Sequence, residues 1–355
     1  MADTIGHYEI VERLGAGGLG EVFRARDTKL GRTVAIKIVE SAIAGDPDAR
    51  AALLADARAV TQLSHPSIAA LYDAGEDGDR VFLVFEFVPG TTLRSFMGER
   101  PLNPKRAIDL ATQLADALAA GHAHGHAHGD VNPETIMVTP TGRAKLLDFG
   151  LSRWTAGGRA RANAATAESE GRMLGSLAYM SPEQALGGGV DHRTDVFSLG
   201  CVLYEMLTGV SPFAKPGNES TVIQILQLSP PSPSSLNPRV PSGLDRIVQQ
   251  SLIKSLDRRE PSIASLSAGL KRLAPDLDVP IEDTIPPPVS ATPARSWRWL
   301  RLLLLLVVVL ALVVAAWRWR DDAINLWRQI SEPIESGPTS EHGPITPSGG
   351  FPRVA

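Results

Sequence analysis

Leu14-Gly15-Ala16-Gly17-Gly18-Leu19-Gly20-Glu21-Val22-Phe23-Arg24-Ala25 is the stretch on which the reading of the fold turns. Its glycines fit G-x-G-x-x-G, a spacing shared by dinucleotide-binding turns and by glycine-rich hairpins. A dinucleotide turn runs straight into a helix, whereas Glu21 to Ala25 continues as a strand. A β-hairpin is the better fit, because glycine lets backbone approach an anion such as phosphate. A plain hairpin turn is the alternative. Outward from this hairpin, residues 8–40 alternate apolar and polar in short runs, which predicts a twisted antiparallel sheet. Residues 47–63 have helical spacing, and the runs at 68–75 and 80–88 read as further strands. After Pro89-Gly90 the pattern turns helical, at 104–120, 195–208 and 243–255. The order is a small β-rich lobe with one helix, then a larger helical lobe, an α+β architecture.

Composition narrows the classes. The chain has 355 residues, 43% of them hydrophobic and 21% charged, with a net charge of -4. That balance offers no basic field for nucleic acid. Cys201 is the only cysteine, in apolar surroundings, and reads as a small buried residue. The N-terminus lacks a basic stretch followed by an apolar one, so no cleavable secretory signal is expected.

Two further motifs carry chemistry. Val34-Ala35-Ile36-Lys37 lies in the strand after the glycine hairpin, where a lysine can reach phosphate oxygens as a point charge or stand solvated. Leu147-Asp148-Phe149-Gly150 follows another strand-like run, and an aspartate there suits a metal–phosphate ligand or a simple turn. In this order the motifs match the protein-kinase signature set. The sequence resembles the eukaryotic-type (Hanks-type) Ser/Thr protein kinases of bacteria, over about residues 8–270. The resemblance includes Ser64-His65-Pro66, Phe85-Glu86-Phe87-Val88, His128-Gly129-Asp130, residues 175–184 from Gly175 to Gln184, and Asp195-Val196-Phe197-Ser198-Leu199-Gly200.

The resemblance implies a bilobal kinase fold with ATP between the lobes and Mg²⁺ or Mn²⁺ as the metal. Leu14, Gly15, Gly17 and Gly20 would cover the nucleotide, with Val22, Ala35 and Met137 walling the adenine. Phe85 would be the gatekeeper, with Glu86 and Val88 in the hinge. Lys37 would hold the α/β-phosphates, Asp148 the metal, and Asp130 would accept the proton of a protein hydroxyl. The implied partner is a protein substrate or a signalling partner, and dimerisation stays open.

Departures from the family pattern bear on activity. Gly129 replaces the arginine that pairs with a phosphorylated activation loop, where Thr166 and Ser169 are the modifiable residues. Asn132 replaces the lysine that neutralises the transferring phosphoryl group. Thr135 replaces the asparagine that holds a second metal ion. No glutamate occurs between Glu40 and Glu76, so Asp56, one methylene shorter, is expected to take the place of the helix glutamate that pairs with Lys37. Losing one preorganised stabiliser typically costs about 10²–10³ in rate. The expectation is a slow kinase, with a pseudokinase that binds nucleotide as the alternative.

The kinase-like region, residues 8–273, is followed by a Pro- and acid-rich stretch, 274–296, that reads as a linker. Leu302 to Ala316 is an unbroken apolar run. With its flanks, Trp297 to Trp319 would give about 34 Å of helix, enough for a hydrocarbon core of about 30 Å. Trp297, Trp299, Trp317 and Trp319 form the aromatic belt of a single membrane span, and the flanking arginines can snorkel. Arginines balance on the two sides, so charge does not orient the span. ATP does: the expected kinase region is cytoplasmic and the short tail, 320–355, lies outside the cell membrane.

Overall fold

A computed structural model of the chain describes residues 4–154, 177–213 and 221–276. The chain divides into two units, Met1–Pro288 and Val289–Ala355. The second unit lies outside the described residues. So do the expected span at 297–319, the tail, the linker beyond Asp276, and residues 155–176 with Thr166 and Ser169.

The first lobe is built on one sheet. Strands β1 (Thr4–Ile5), β2 (Tyr8–Gly17), β3 (Gly20–Asp27) and β4 (Thr33–Val39) precede α1 (Ser41–Ala44) and α2 (Pro47–Val60); β5 (Leu71–Asp77) and β6 (Arg80–Glu86) follow. All pairs are antiparallel, in the order β1-β2-β3-β4-β6-β5. Pairing registers Val22 against Lys37 and Ala35 against Phe85. The glycine stretch is a hairpin with Gly17 opposite Gly20. Gly20 has φ 146°, and a Cβ on it would stand 2.0 Å from the Ile38 carbonyl oxygen. Only glycine lets β3 pass β4 this closely. Asp46 starts α2: its side chain accepts from Asp48 N–H and Ala49 N–H, with Pro47 in the first turn. Leu53, Leu54, Ala57 and Val60 form the buried stripe of α2, at the spacing a helix needs to bury one face.

The second lobe is helical. A three-stranded sheet joins β7 (Thr91–Thr92) to β8 (Ile136–Val138) and β9 (Ala144–Leu146). Around it stand α3 (Leu93–Met97), α4 (Pro104–Ala123), α5 (Pro182–Ala185) and α6 (His192–Thr208). Then come α7 (Thr221–Gln227), α8 (Pro233–Leu236), α9 (Ser242–Ser251) and α10 (Ile263–Leu273). Helix α6 is buried continuously from Thr194 to Leu207 and is the axis on which α4, α9 and α10 pack. Burial pushes the Cys201 thiol of this helix far up, which leaves it protonated and inert. Helix α4 carries Gly121, where a Cβ would stand 2.1 Å from Phe149 Cζ. The missing side chain is the notch that seats the fully buried Phe149 ring.

Among the described residues no helix is long and apolar enough to cross a membrane.

Candidate active site

The glycine hairpin, β4 and the turn after β9 bring the expected nucleotide-holding residues together. Lys37 projects from β4 and is buried, with its ammonium donating to both carboxylate oxygens of Asp148, to Oδ2 at 2.6 Å. A Cβ on Gly17 would stand 3.7 Å from Lys37 Nζ. The hairpin therefore lies directly over the lysine, at van der Waals distance. The Phe85 ring centroid is 5.3 Å from the same nitrogen, within reach of a cation–π contact. Asp148 is held at φ 60°, a left-handed conformation that a non-glycine residue adopts at some cost. Leu151 N–H donates to the Asp148 carbonyl at 3.1 Å and closes this turn.

Not every residue takes the expected role through its side chain. The Glu86 carboxylate accepts from Lys145 at 2.7 Å, and Glu86 N–H donates to the Ala70 carbonyl at 2.8 Å. Its side chain thus ties the hinge to β9. Val88 is buried, Val22, Ala35 and Met137 are half-buried, and Leu14 is exposed at the hairpin edge.

The expected pair between Lys37 and Asp56 is not formed. Asp56 accepts from Arg153 Nε and from Trp154 Nε1, each at 2.6 Å. These donors lie in a 3-10 turn, Ser152–Trp154, directly after Asp148-Phe149-Gly150. The reason is reach and competition. Aspartate is short, Lys37 is already neutralised by Asp148, and the turn offers two donors to the face of α2 that carries Asp56. Arg153 and Trp154 were not singled out in the sequence; their adjacency to Asp148-Phe149-Gly150 was the available signal.

Asp130 sits in a loop that is pinned from below. Asp195, fully buried on α6, accepts from His128 N–H and from Gly129 N–H, both at 2.7 Å, and pairs with His122 Nε2 at 2.7 Å. The His128 ring contacts the Leu147 carbonyl at 2.9 Å. His122, His124 and His128 thus serve separate structural contacts, with His124 on the Ala120 carbonyl at 2.8 Å. Gly129 has φ 70°, and a Cβ there would stand 2.6 Å from Ser152 Oγ. Glycine suits the backbone, and Gln184 Nε2 donates to the Gly129 carbonyl at 2.9 Å.

Asn132 and Thr135 face into this loop. The Asn132 amide donates to the Asp130 carbonyl at 3.0 Å and to Asp130 Oδ1 at 3.1 Å. The Thr135 hydroxyl donates to the Asp130 carbonyl at 2.8 Å and accepts from Asn132 N–H at 3.1 Å. That orientation engages the threonine oxygen with backbone, against the expectation of a second metal ligand. Beyond the loop, Arg94 pairs with Glu205 and Tyr179, a cluster that the sequence reading did not contain. Burial, reinforced by Glu205, pushes the Tyr179 hydroxyl far up, so it stays a neutral donor.

The donor set fits a phosphate-bearing ligand under the hairpin: one buried ammonium, glycine backbone above it and a carboxylate alongside. It fits one metal ion at Asp148 better than two, because Thr135 is turned inward.

A β-sheet lobe, a helical lobe and this lysine–aspartate site define a protein kinase domain. The family model described as protein kinase domain matches residues 8–265, and the chain belongs to that family. It is similar to the serine/threonine-protein kinase PknB of Mycobacterium tuberculosis (strain ATCC 25618 / H37Rv), at 39% identity over 271 residues, 75% of this chain and 42% of that protein. It is also similar to PknL of M. tuberculosis (strain CDC 1551 / Oshkosh), at 35% identity over 81% of this chain and 71% of that protein. The crystal structure of the M. tuberculosis PknI kinase domain superposes with a TM-score of 0.60 at 23% identity, covering 76% of this chain and 98% of that one. That likeness concerns the fold alone. The chain spans less than half the length of the PknB relatives it matches. Protein kinases as a family use ATP and a divalent metal ion.

Proposed function

We propose that the chain is a membrane-anchored Ser/Thr protein kinase that uses ATP with Mg²⁺ or Mn²⁺, at a rate below that of ordinary kinases. The observation that carries this reading is the buried contact of Lys37 with Asp148 under the glycine hairpin. An ATP phosphate would compete with Asp148 for Lys37, and Asp148, so released, would hold the metal ion. The acceptor hydroxyl oxygen bonds to the γ-phosphorus while the bond to the β–γ bridging oxygen breaks. ADP leaves with that electron pair and Asp130 takes the hydroxyl proton. The metal ion would neutralise charge on the phosphates.

One observation favours the second reading, a pseudokinase that binds nucleotide and recruits a partner. Asn132 brings no positive charge, and the Thr135 hydroxyl is engaged with backbone. Labelled ATP separates the two. Under the kinase reading, the full chain incorporates label with Mg²⁺ or Mn²⁺, and Asp148→Ala does not. Thermal stabilisation by nucleotide with no label in the wild type would establish the pseudokinase instead.

We also propose that residues 297–319 cross the cell membrane once, leaving residues 1–296 in the cytoplasm. The apolar run and its paired tryptophans support this. Protease added to intact cells should remove the tail and spare the kinase domain, and cleavage of the kinase domain would reverse the orientation.

A further inference from the structure

Asn132 stands where the family resemblance places a lysine, and its amide is used at both ends. The nitrogen donates to the carbonyl and to the carboxylate of Asp130, at 3.0 and 3.1 Å. The oxygen accepts from Glu134 N–H at 2.9 Å and Thr135 N–H at 3.3 Å. The residue is 4% exposed, so these groups have little water to turn to. A lysine ammonium has three donors and no acceptor. It would leave the two backbone N–H groups without their side-chain partner, at a cost that burial makes substantial. Thr135 completes the unit by accepting from Asn132 N–H at 3.1 Å. Asn132 and Thr135 are therefore one reciprocal arrangement, in which each departure from the kinase pattern supports the other.

We propose that Asn132 is a positioning residue for phosphate transfer, its side-chain N–H holding the Asp130 carboxylate in the orientation that receives the acceptor proton. The inference rests on the reading of Asp130 as the base. A carboxylate on a short side chain turns readily about its last torsion, and a donor on Oδ1 removes that freedom. Holding reacting groups in register contributes to rate without contributing to nucleotide affinity. The amide cannot neutralise the phosphoryl group as a lysine would. The site therefore keeps an ordered base while lacking that charge, which accounts for a slow but ordered kinase.

Two substitutions in the full chain test this. Asn132→Asp keeps an acceptor for the Glu134 and Thr135 amides but has no N–H for Asp130. Asn132→Ser offers its hydroxyl to the same amides and adds no charge. With γ-labelled ATP and Mg²⁺, the rate at saturating ATP should fall by about 10–100-fold in both. The half-saturating ATP concentration and the stabilisation by ATP should stay at wild-type values. A purely structural role for Asn132 predicts the opposite split, with stability altered and the rate of folded protein kept. If Asn132→Ser binds ATP and transfers label at the wild-type rate, the positioning role is overturned and the kinase reading stands. If the wild type binds ATP but transfers no label, both fall together.

Discussion

Asp130→Asn should lower phosphate transfer by about 10²–10⁴-fold, the usual contribution of a positioned general base. Asparagine preserves the shape of the side chain and can still contact Asn132, but it cannot take the hydroxyl proton. The loop beneath is held by Asp195 through His128 N–H and Gly129 N–H, so its backbone should persist. The proposed nucleotide contacts lie with Lys37, Asp148 and the hairpin, so ATP should stabilise the variant and the wild type alike. Rapid-quench incorporation of label, alongside a thermal melt with and without ATP, measures both quantities. Transfer at the wild-type rate would remove Asp130 from the chemistry.

Arg259→Leu should cost about 3–5 kcal/mol of stability, the penalty for leaving one member of a buried ion pair alone. The Arg259 side chain is fully buried and donates to Glu183 Oε1 at 2.7 Å and Oε2 at 2.9 Å. It also donates to the Arg193 carbonyl at 2.9 Å and the Ile253 carbonyl at 2.9 Å. One guanidinium thus ties α5, the start of α6 and the segment before α10. For a domain of this size the loss amounts to a fall in Tm of roughly 10 °C. The pair has a pH signature as well. Burial pushes the Glu183 carboxyl up, but the hydrogen bonds and charge of Arg259 outweigh it, and the net shift is downward. A lowered pKa means that the pair stabilises fully above the ordinary carboxylate range and loses its contribution as pH falls through the lowered value. Acid should therefore erode the stability of the wild type more steeply than that of Arg259→Leu. Equal acid profiles would show that the pair carries no net stabilisation.

The architecture was legible because it rests on periodicity. Alternation predicted β2, β3 and β4, and the strand after the glycines separated a hairpin from a dinucleotide turn. Lys37 and Asp148 could be named because short motifs mark them, and they meet in the fold. Asp56 shows where such reading stops. The absence of a glutamate between Glu40 and Glu76 singled it out on α2, but composition does not reveal which neighbour offers donors to that face. The Arg153 guanidinium and the Trp154 indole do, and they lie 97 and 98 positions away in the chain. Thr135 departs from expectation for a related reason. A hydroxyl turns to whichever partner the local backbone provides, and that choice leaves no trace in spacing. Asn132 read as a loss when compared with lysine. Only its hydrogen bonds show an acceptor that lysine lacks.

Asp195 has a mechanical consequence. Its carboxylate, fully buried on α6, carries the backbone of His128 and Gly129, and through them the next residue, Asp130. The loop that bears the proposed base is thereby clamped to the axle of the lower lobe rather than suspended between flexible ends. A loop pinned by buried hydrogen bonds opens less readily than one held only at its ends. A displacement of α6 along its own axis, by contrast, would carry Asp130 with it as a lever carries its tip. Lys37 and the glycine hairpin are mounted instead on the sheet of the first lobe, so the two halves of the site rest on separate supports.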